Sequence, residues 1–338
     1  MFIDPHVHCR DGAESYKETI AHALKVAELA GLTAIFDMPN TKPPLMRKEE
    51  VVKRLESAKQ TASPVWYGVY MALTADAAQI KHAIETYSEL EHVVGFKLYA
   101  GHSVGNLGVV KEEEQKSIYR ILTTEKYMGV IAVHCEKESL LSNLWDKTTP
   151  KTYALARPWQ AEVESVRDQL RFSKEAGFEG VLHIAHISVP EAVRLINEEN
   201  HIRVTCGVTP HHLLFDYTAM EKDGLLRKMN PPLRPPGMNK ELLEMLRNGM
   251  ISWIETDHAP HTLHEKLNLP YLSGIPGLQK YPKFIRWLKM QGFSEKRIRE
   301  ITWNNIIKTF GLSLVPRQCT PEIDLEYEYP YDPYKGVL

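Results

Sequence analysis

The chain has 338 residues, with 41 Lys plus Arg against 43 Asp plus Glu and a formal net charge of −2 with histidine neutral. Binding to nucleic acid through counterion release calls for a basic excess, which this balance lacks. With 43% hydrophobic and 25% charged residues, the composition is that of a folded globular chain and excludes wholesale disorder.

Residues 1–8, MFIDPHVH, carry an acid at Asp4 and neither the basic start nor the apolar stretch of a leader. No run of about 18 apolar residues, the length of a membrane span, follows anywhere. Cys9, Cys135, Cys206 and Cys319 are single and far apart, which fits a reducing cytoplasm. The expectation is a cytoplasmic protein with no membrane segment.

In chain order, short apolar or β-branched runs at 2–8, 33–38, 65–71, 94–99, 130–134, 180–187, 202–208 and 251–256 read as strands. Amphipathic stretches at 16–30, 48–60, 76–89, 111–126, 158–176, 190–199 and 239–248 read as helices, and helical patterning resumes at 282–291 and 295–310. Pro158 and Pro190 suit first helical turns, and Gly31 suits a helix C-terminus. Eight strands each followed by a helix predict an α/β fold, the (β/α)8 TIM barrel, as one domain over 1–314. A doubly wound sheet would place a glycine-rich phosphate turn after the first strand, where DPHVHCR stands instead. Residues 315–338, rich in tyrosine, proline and acid, form a short C-terminal extension. It is expected to pack its aromatics on the barrel exterior, with an interaction tail as the alternative.

Alternation along the first strand sends His6 and His8 to one face, where they can chelate one metal. Two structural histidines explain that pair alone equally well. The other strand ends add to it, because a barrel carries its reactive groups at the C-terminal ends of its strands. Lys97 lies near the end of the fourth strand, and an inward lysine either loses its proton or is chemically altered. His134, His186 and Asp257 end strands five, six and eight. The glycine-bearing segment 100–109 after Lys97 reads either as a closing lid or as a plain connection.

The motifs DPHVHCR, MPNT, GFKLY, AVHCE, AHIS, MNPPLR and TDHAPH, in this order over residues 4–261, resemble the amidohydrolase superfamily and within it the dihydroorotases. With DHAPHTLHEK followed by GIPGL, the nearest likeness is to the dihydroorotase domain of the animal multifunctional pyrimidine-synthesis protein and its bacterial relatives. The resemblance implies two zinc ions, the first on His6, His8 and Asp257, the second on His134 and His186, bridged by a carboxylated Lys97. It further implies that Asp257 is the general acid and base, that Arg10, Asn40 and His261 hold a substrate carboxylate, and that Asn230 and the backbone at Gly274 meet the pyrimidine ring. The implied reaction is the reversible cyclisation of N-carbamoyl-L-aspartate to L-dihydroorotate in UMP biosynthesis. The chemistry agrees, since a neutral amine in a dry pocket can take up CO2 and the resulting anion is stabilised by two dications.

His183 reads as structural, His211 and His212 as supporting residues, His258 as pointing away from the metals, and Cys9 and Cys135 as apolar fillers. A chain that starts directly at its first strand resembles the shorter dihydroorotases, while its motifs look like the other branch, so subclass and oligomeric state stay open. The expected partner is a small-molecule substrate, with a homodimer or a complex with aspartate transcarbamoylase as assemblies. Three alternatives are carried: a hydantoinase or allantoinase-like enzyme, which would not need Arg10; a silent homologue partnering aspartate transcarbamoylase, which would have lost metal ligands; and a mononuclear deaminase, which leaves Lys97 unexplained.

Overall fold

The computed structural model describes residues 2–102, 107–200, 202–317, 321 and 329–338. Eight parallel strands pair in sequence order: β1 (Phe2–Val7), β2 (Leu32–Asp37), β3 (Trp66–Ala72), β4 (Val93–Ala100), β5 (Val130–Cys135), β6 (Val181–Ile184), β7 (Arg203–Val208) and β8 (Trp253–Ile254). A bridge between Val7 and His258, with the His8 N–H donating to the His258 carbonyl at 2.7 Å, brings the last strand against the first. The result is a nearly closed (β/α)8 barrel, as the alternating pattern predicts.

The expected strands at 180–187 and 251–256 are longer than β6 and β8. Within 180–187, His186 (φ 40°) sits in the left-handed region, where an extended ladder cannot continue. The helix Lys48–Gln60 has the expected bounds, whereas the first helix begins only at Ile20, where Thr19 accepts a hydrogen bond from the His22 N–H. Pro190 opens the helix Pro190–Glu198, and Pro158 stands one residue ahead of the helix Trp159–Ala176. The last helical stretch is interrupted by a π-turn at Glu300–Asn304. Short helices at Pro210–Leu214 and Leu263–Leu267 lack the length for a periodic signal; each starts on a threonine cap.

The larger core lies between strands and helices. A second cluster fills the barrel floor, where Phe36, Tyr70 and Trp253 are joined from below by Trp303, Ile306 and Phe310. The Phe310 ring stands 5.1 Å from Phe36 and 5.9 Å from Trp253. With the floor filled by aromatics, the opposite end, where the strands terminate, is left to polar groups.

Near the end of the extension, Tyr334 is buried against Phe215 with ring centroids 5.7 Å apart, Asp332 pairs with Lys280 at 2.7 Å, and Tyr329 donates to Glu18 at 2.5 Å. The lid reading of 100–109 turns on residues 103–106, which with 318–320 and 322–328 of the extension, including Cys319, lie outside the described residues.

One buried network ties the wall to the end of β1. Arg54 donates to Asp37 at 2.9 and 2.6 Å and also to the Arg10 carbonyl, while Asp37 accepts from the Cys9 N–H at 2.9 Å. Replacing one partner of a buried ion pair strands the other, at about 3–5 kcal/mol. Arg54→Met is therefore expected to lower the urea unfolding free energy by about that amount; a loss below about 1 kcal/mol contradicts this role.

Candidate active site

His6 and His8 extend from β1 toward Asp257, which follows β8. Their Nε2 atoms lie 3.3 and 3.0 Å from the Asp257 Oδ1, and the three side chains offer ligand atoms all within 4.8 Å of one another. Tetrahedral zinc with bonds of about 2.0–2.1 Å spaces its ligands by about 3.4 Å, so the set suits one ion. Across the barrel, His134 Nδ1 and His186 Nε2 are 3.2 Å apart, and the His6 and His186 rings are 5.1 Å apart. Lys97 on β4 is fully buried between the two groups of imidazoles.

The electrostatics favour neutral imidazoles. Burial pushes His6 down to about 4, with the Lys97 charge adding, and lowers His134 and His186 as well. Burial alone would raise Asp257, but the His8 hydrogen bond and the neighbouring His6, His8 and His211 rings outweigh it and hold the carboxyl well below its usual range. Burial draws Lys97 down to about 8, partly offset by Asp257 and Glu255. Its Nζ has no hydrogen-bond partner among the described residues. Neutral imidazoles, one ionised carboxylate and an unpartnered amine are the donor types that a metal pair and a bridging anion require.

Ten of the eleven predicted site residues line a single cleft: His6, His8, Arg10, Asn40, Lys97, His134, His186, Asn230, Asp257 and Gly274. The eleventh, His261, is buried directly behind, its Nε2 3.1 Å from the Arg10 guanidinium and 3.0 Å from the Ser273 carbonyl. The Asn40 Oδ1 lies 2.7 Å from His8 Nδ1, which orients the ring with its Nε2 toward Asp257. Gly274 has φ 129°, and a Cβ there would lie 2.8 Å from the Ala259 carbonyl oxygen, so the wall closes this tightly only with glycine.

His183, Cys9 and Cys135 stand where the sequence puts them. His183 stacks on Trp253 at 4.3 Å, away from the cleft, and both cysteines are buried in the core. His258 turns to Glu18 at 3.0 Å and accepts from the Gly277 N–H. His212 bonds Thr209 and the Pro231 carbonyl, and His211 is buried beside it.

The supporting carboxylates escaped the sequence reading. Glu255 accepts from the Trp253 indole at 3.0 Å and from the His186 N–H, and lies 3.1 Å from His183 and 3.6 Å from His6. A Cβ at position 207 would come within 2.5 Å of that carboxylate, which explains Gly207. Glu136 holds His134 Nε2 at 3.0 Å and pairs with Arg157 at 2.6 Å. Both were readable by alternation, since Glu255 lies two residues before Asp257 and Glu136 two after His134. Buried Lys228 and Lys266, which grip the backbone of 271–274, carry no such signal.

No family model matches the chain. The dihydroorotase of Methanothermobacter thermautotrophicus is 32% identical over 319 residues, covering 92% of this chain and 69% of that protein. The dihydroorotase of Bacillus licheniformis is 32% identical, covering 92% and 72%, and that of Pyrococcus horikoshii is 33% identical, covering 82% and 57%. The chain thus spans 57–72% of the length of these relatives. Among solved structures, an L-hydantoinase (dihydropyrimidinase) from Arthrobacter aurescens superposes with a TM-score of 0.80 at 25% identity, covering 92% of this chain and 70% of that one. A dihydroorotase from Saccharomyces cerevisiae in complex with 5-fluoroorotic acid gives 0.75 at 17% identity over 93% and 84%, a likeness of fold.

Glu18, which clamps His258 beside Asp257, makes the barrel's closure acid-sensitive. Burial raises its carboxyl, but His258 and the hydrogen bonds from His22, His258 and Tyr329 outweigh it and bring it from 4.5 down to about 2. A depressed acid contributes stability above its unfolded pKa and loses it as pH falls through the folded one. The stability gap between the unaltered protein and Glu18→Gln is therefore expected to be full above about pH 5 and to shrink toward pH 2, read from urea midpoints across that range. A gap that does not vary with pH contradicts it.

Proposed function

The chain belongs to the dihydroorotase family, and on that premise we propose that it interconverts N-carbamoyl-L-aspartate and L-dihydroorotate in the synthesis of UMP. The reaction is that of a metal-dependent hydrolase acting on a cyclic amide C–N bond. Ring closure consumes one proton and releases one water, so its equilibrium is favoured at lower pH.

The observation that carries the reading is the pairing of Arg10 with His261 on the rim of the cleft that also holds the imidazoles, Lys97 and Asp257. Dihydroorotate bears a ring carboxylate, and a guanidinium is the donor suited to bind it in fixed geometry. In this reading Arg10 and the Asn40 amide N–H groups hold that carboxylate with His261. Burial lowers His261 to about 3, so its imidazole is neutral at working pH. Asn230 and the backbone at Gly274 would meet the rest of the ring.

His6, His8 and Asp257 would hold one zinc ion and His134 and His186 a second. Lys97 suits the bridge: at a pKa of about 8 a useful fraction of its amine is neutral near pH 7, and addition of CO2 with loss of a proton converts it to a carbamate anion. When bound, the two ions supply a water activated at neutral pH and a Lewis acid for the ring carbonyl. Asp257 is the general base, held ionised at the floor of the cleft. In ring opening it takes a proton from the attacking water and returns it to the departing ring nitrogen; in closure both transfers reverse.

The same reading places the protein in the cytoplasm with a small-molecule substrate. It divides the chain into a barrel over 1–314 and an extension over 315–338. Homodimerisation and pairing with aspartate transcarbamoylase are its proposed assemblies.

The superposition on an L-hydantoinase favours one second reading, a hydrolase for hydantoin-like rings that lack the carboxylate. Incubating the zinc-loaded protein with dihydroorotate, hydantoin and allantoin separately decides between them. Dihydroorotate is expected to open fastest, and Arg10→Met is expected to lower kcat/KM for it by about a hundredfold, the worth of a charge-assisted pair of hydrogen bonds. Faster opening of hydantoin, or kinetics unchanged by the substitution, overturns the dihydroorotase reading.

A further inference from the structure

Lys228 lies behind the cleft wall in a hollow of aromatic rings. Its Nζ sits 4.2 Å from the Tyr153 ring centroid and 5.6 Å from that of Trp145, faces that favour a cation. It donates to the Tyr271 carbonyl at 2.6 Å and to Ser273 Oγ at 2.9 Å. Burial, with the Arg157 charge adding, draws the amine down to about 7, so the ammonium predominates on the acid side of neutrality.

An ammonium only donates, so the hydroxyl it meets must accept from it and turn its own hydrogen elsewhere. Ser273 Oγ accepts from Lys228, so its single hydrogen is directed onward, to Asn230 Oδ1 at 3.3 Å or to the Tyr153 oxygen at 3.2 Å. The Tyr153 hydroxyl in turn donates to Asn230 Oδ1. All hydrogens in the chain therefore run toward the Asn230 carbonyl oxygen. The amide is left with its oxygen turned to the wall and its N–H groups available to the cleft, which Asn230 and Ser273 both line.

We propose that Lys228 is a positioning residue that sets the polarity of this hydroxyl–amide chain, so that Asn230 presents N–H donors to an acceptor oxygen of the bound ring. The inference rests on the reading of the cleft as a site for a cyclic amide, and it specifies the wall's preference: a carbonyl or carboxylate oxygen, not an N–H group. Without the ammonium, the Ser273 hydroxyl can rotate its hydrogen away from Asn230 and present a lone pair to it instead. The amide can then flip and turn its oxygen on the substrate's oxygen.

The test is the Michaelis parameters of the zinc-loaded Lys228→Met protein at pH 6.5, with urea midpoints measured alongside. The expected result is a KM raised about tenfold, the equivalent of one hydrogen bond of about 1.4 kcal/mol, with kcat changed less than about threefold. Should this variant fail to fold, Tyr153→Phe keeps the ring and removes one donor to Asn230; its KM is expected to rise about threefold. A KM within about twofold of the unaltered protein, in Lys228→Met or, where that does not fold, in Tyr153→Phe, overturns the proposal whatever happens to stability. So does a loss confined to kcat. Because KM is read on whichever ring the unaltered protein opens, failure of the dihydroorotate assignment leaves this test intact.

Discussion

Lys97 is fully buried on β4, and its Nζ has no hydrogen-bond partner among the described residues. A lone ammonium in such a place pays a desolvation cost of several kcal/mol, which its distance from the Asp257 and Glu255 carboxylates only partly offsets. Burial lowers the pKa of His6, His134 and His186 around the same space, which favours their neutral, metal-ligating form. The arrangement makes electrostatic sense when cations are present and the amine has become an anion, and the proposed carbamate satisfies both conditions.

Holding that space open requires backbone that would not adopt its shape unaided. Arg10 (φ 41°), His186 (φ 40°) and Asp257 (φ 49°) all occupy the left-handed region, where a residue with a Cβ costs about 1–3 kcal/mol. Each is gripped, directly or through its neighbour, by a buried ionisable side chain. Arg54 donates to the Arg10 carbonyl, Glu255 accepts from the His186 N–H, and Asp4 accepts from the Thr256 N–H at 3.0 Å, next to Asp257. The packed aromatic floor beneath supplies the rigidity against which these bonds act. Fold and site are thus linked through a few carboxylates and one guanidinium that never face the cleft.

The sequence made the barrel legible because its signals are periodic: alternation marked the strands, and the helix Lys48–Gln60 was readable to its ends. The inward residues at strand termini were legible for the same reason, since His6 and His8, or Asp257 after β8, follow a period of two. Glu255 and Glu136 apart, what escaped lacks a period. Arg54 looks like one more charge on a polar helix, and its burial depends on Asp37, 17 residues away. The carbonyl bonds of Lys228 and Lys266 form only after loops distant in sequence have met. The shortness of β6 also escaped, because the strained φ of His186 is set by tertiary grip and not by residue type.

The central claim, an anionic lysine derivative between two groups of imidazoles, is tested most directly by NMR of zinc-loaded protein equilibrated with 13C-bicarbonate. The account predicts one labelled carbamate per chain that disappears in Lys97→Ala. A catalytically active, zinc-replete protein that shows no such signal, or one whose signal survives the substitution, would contradict it.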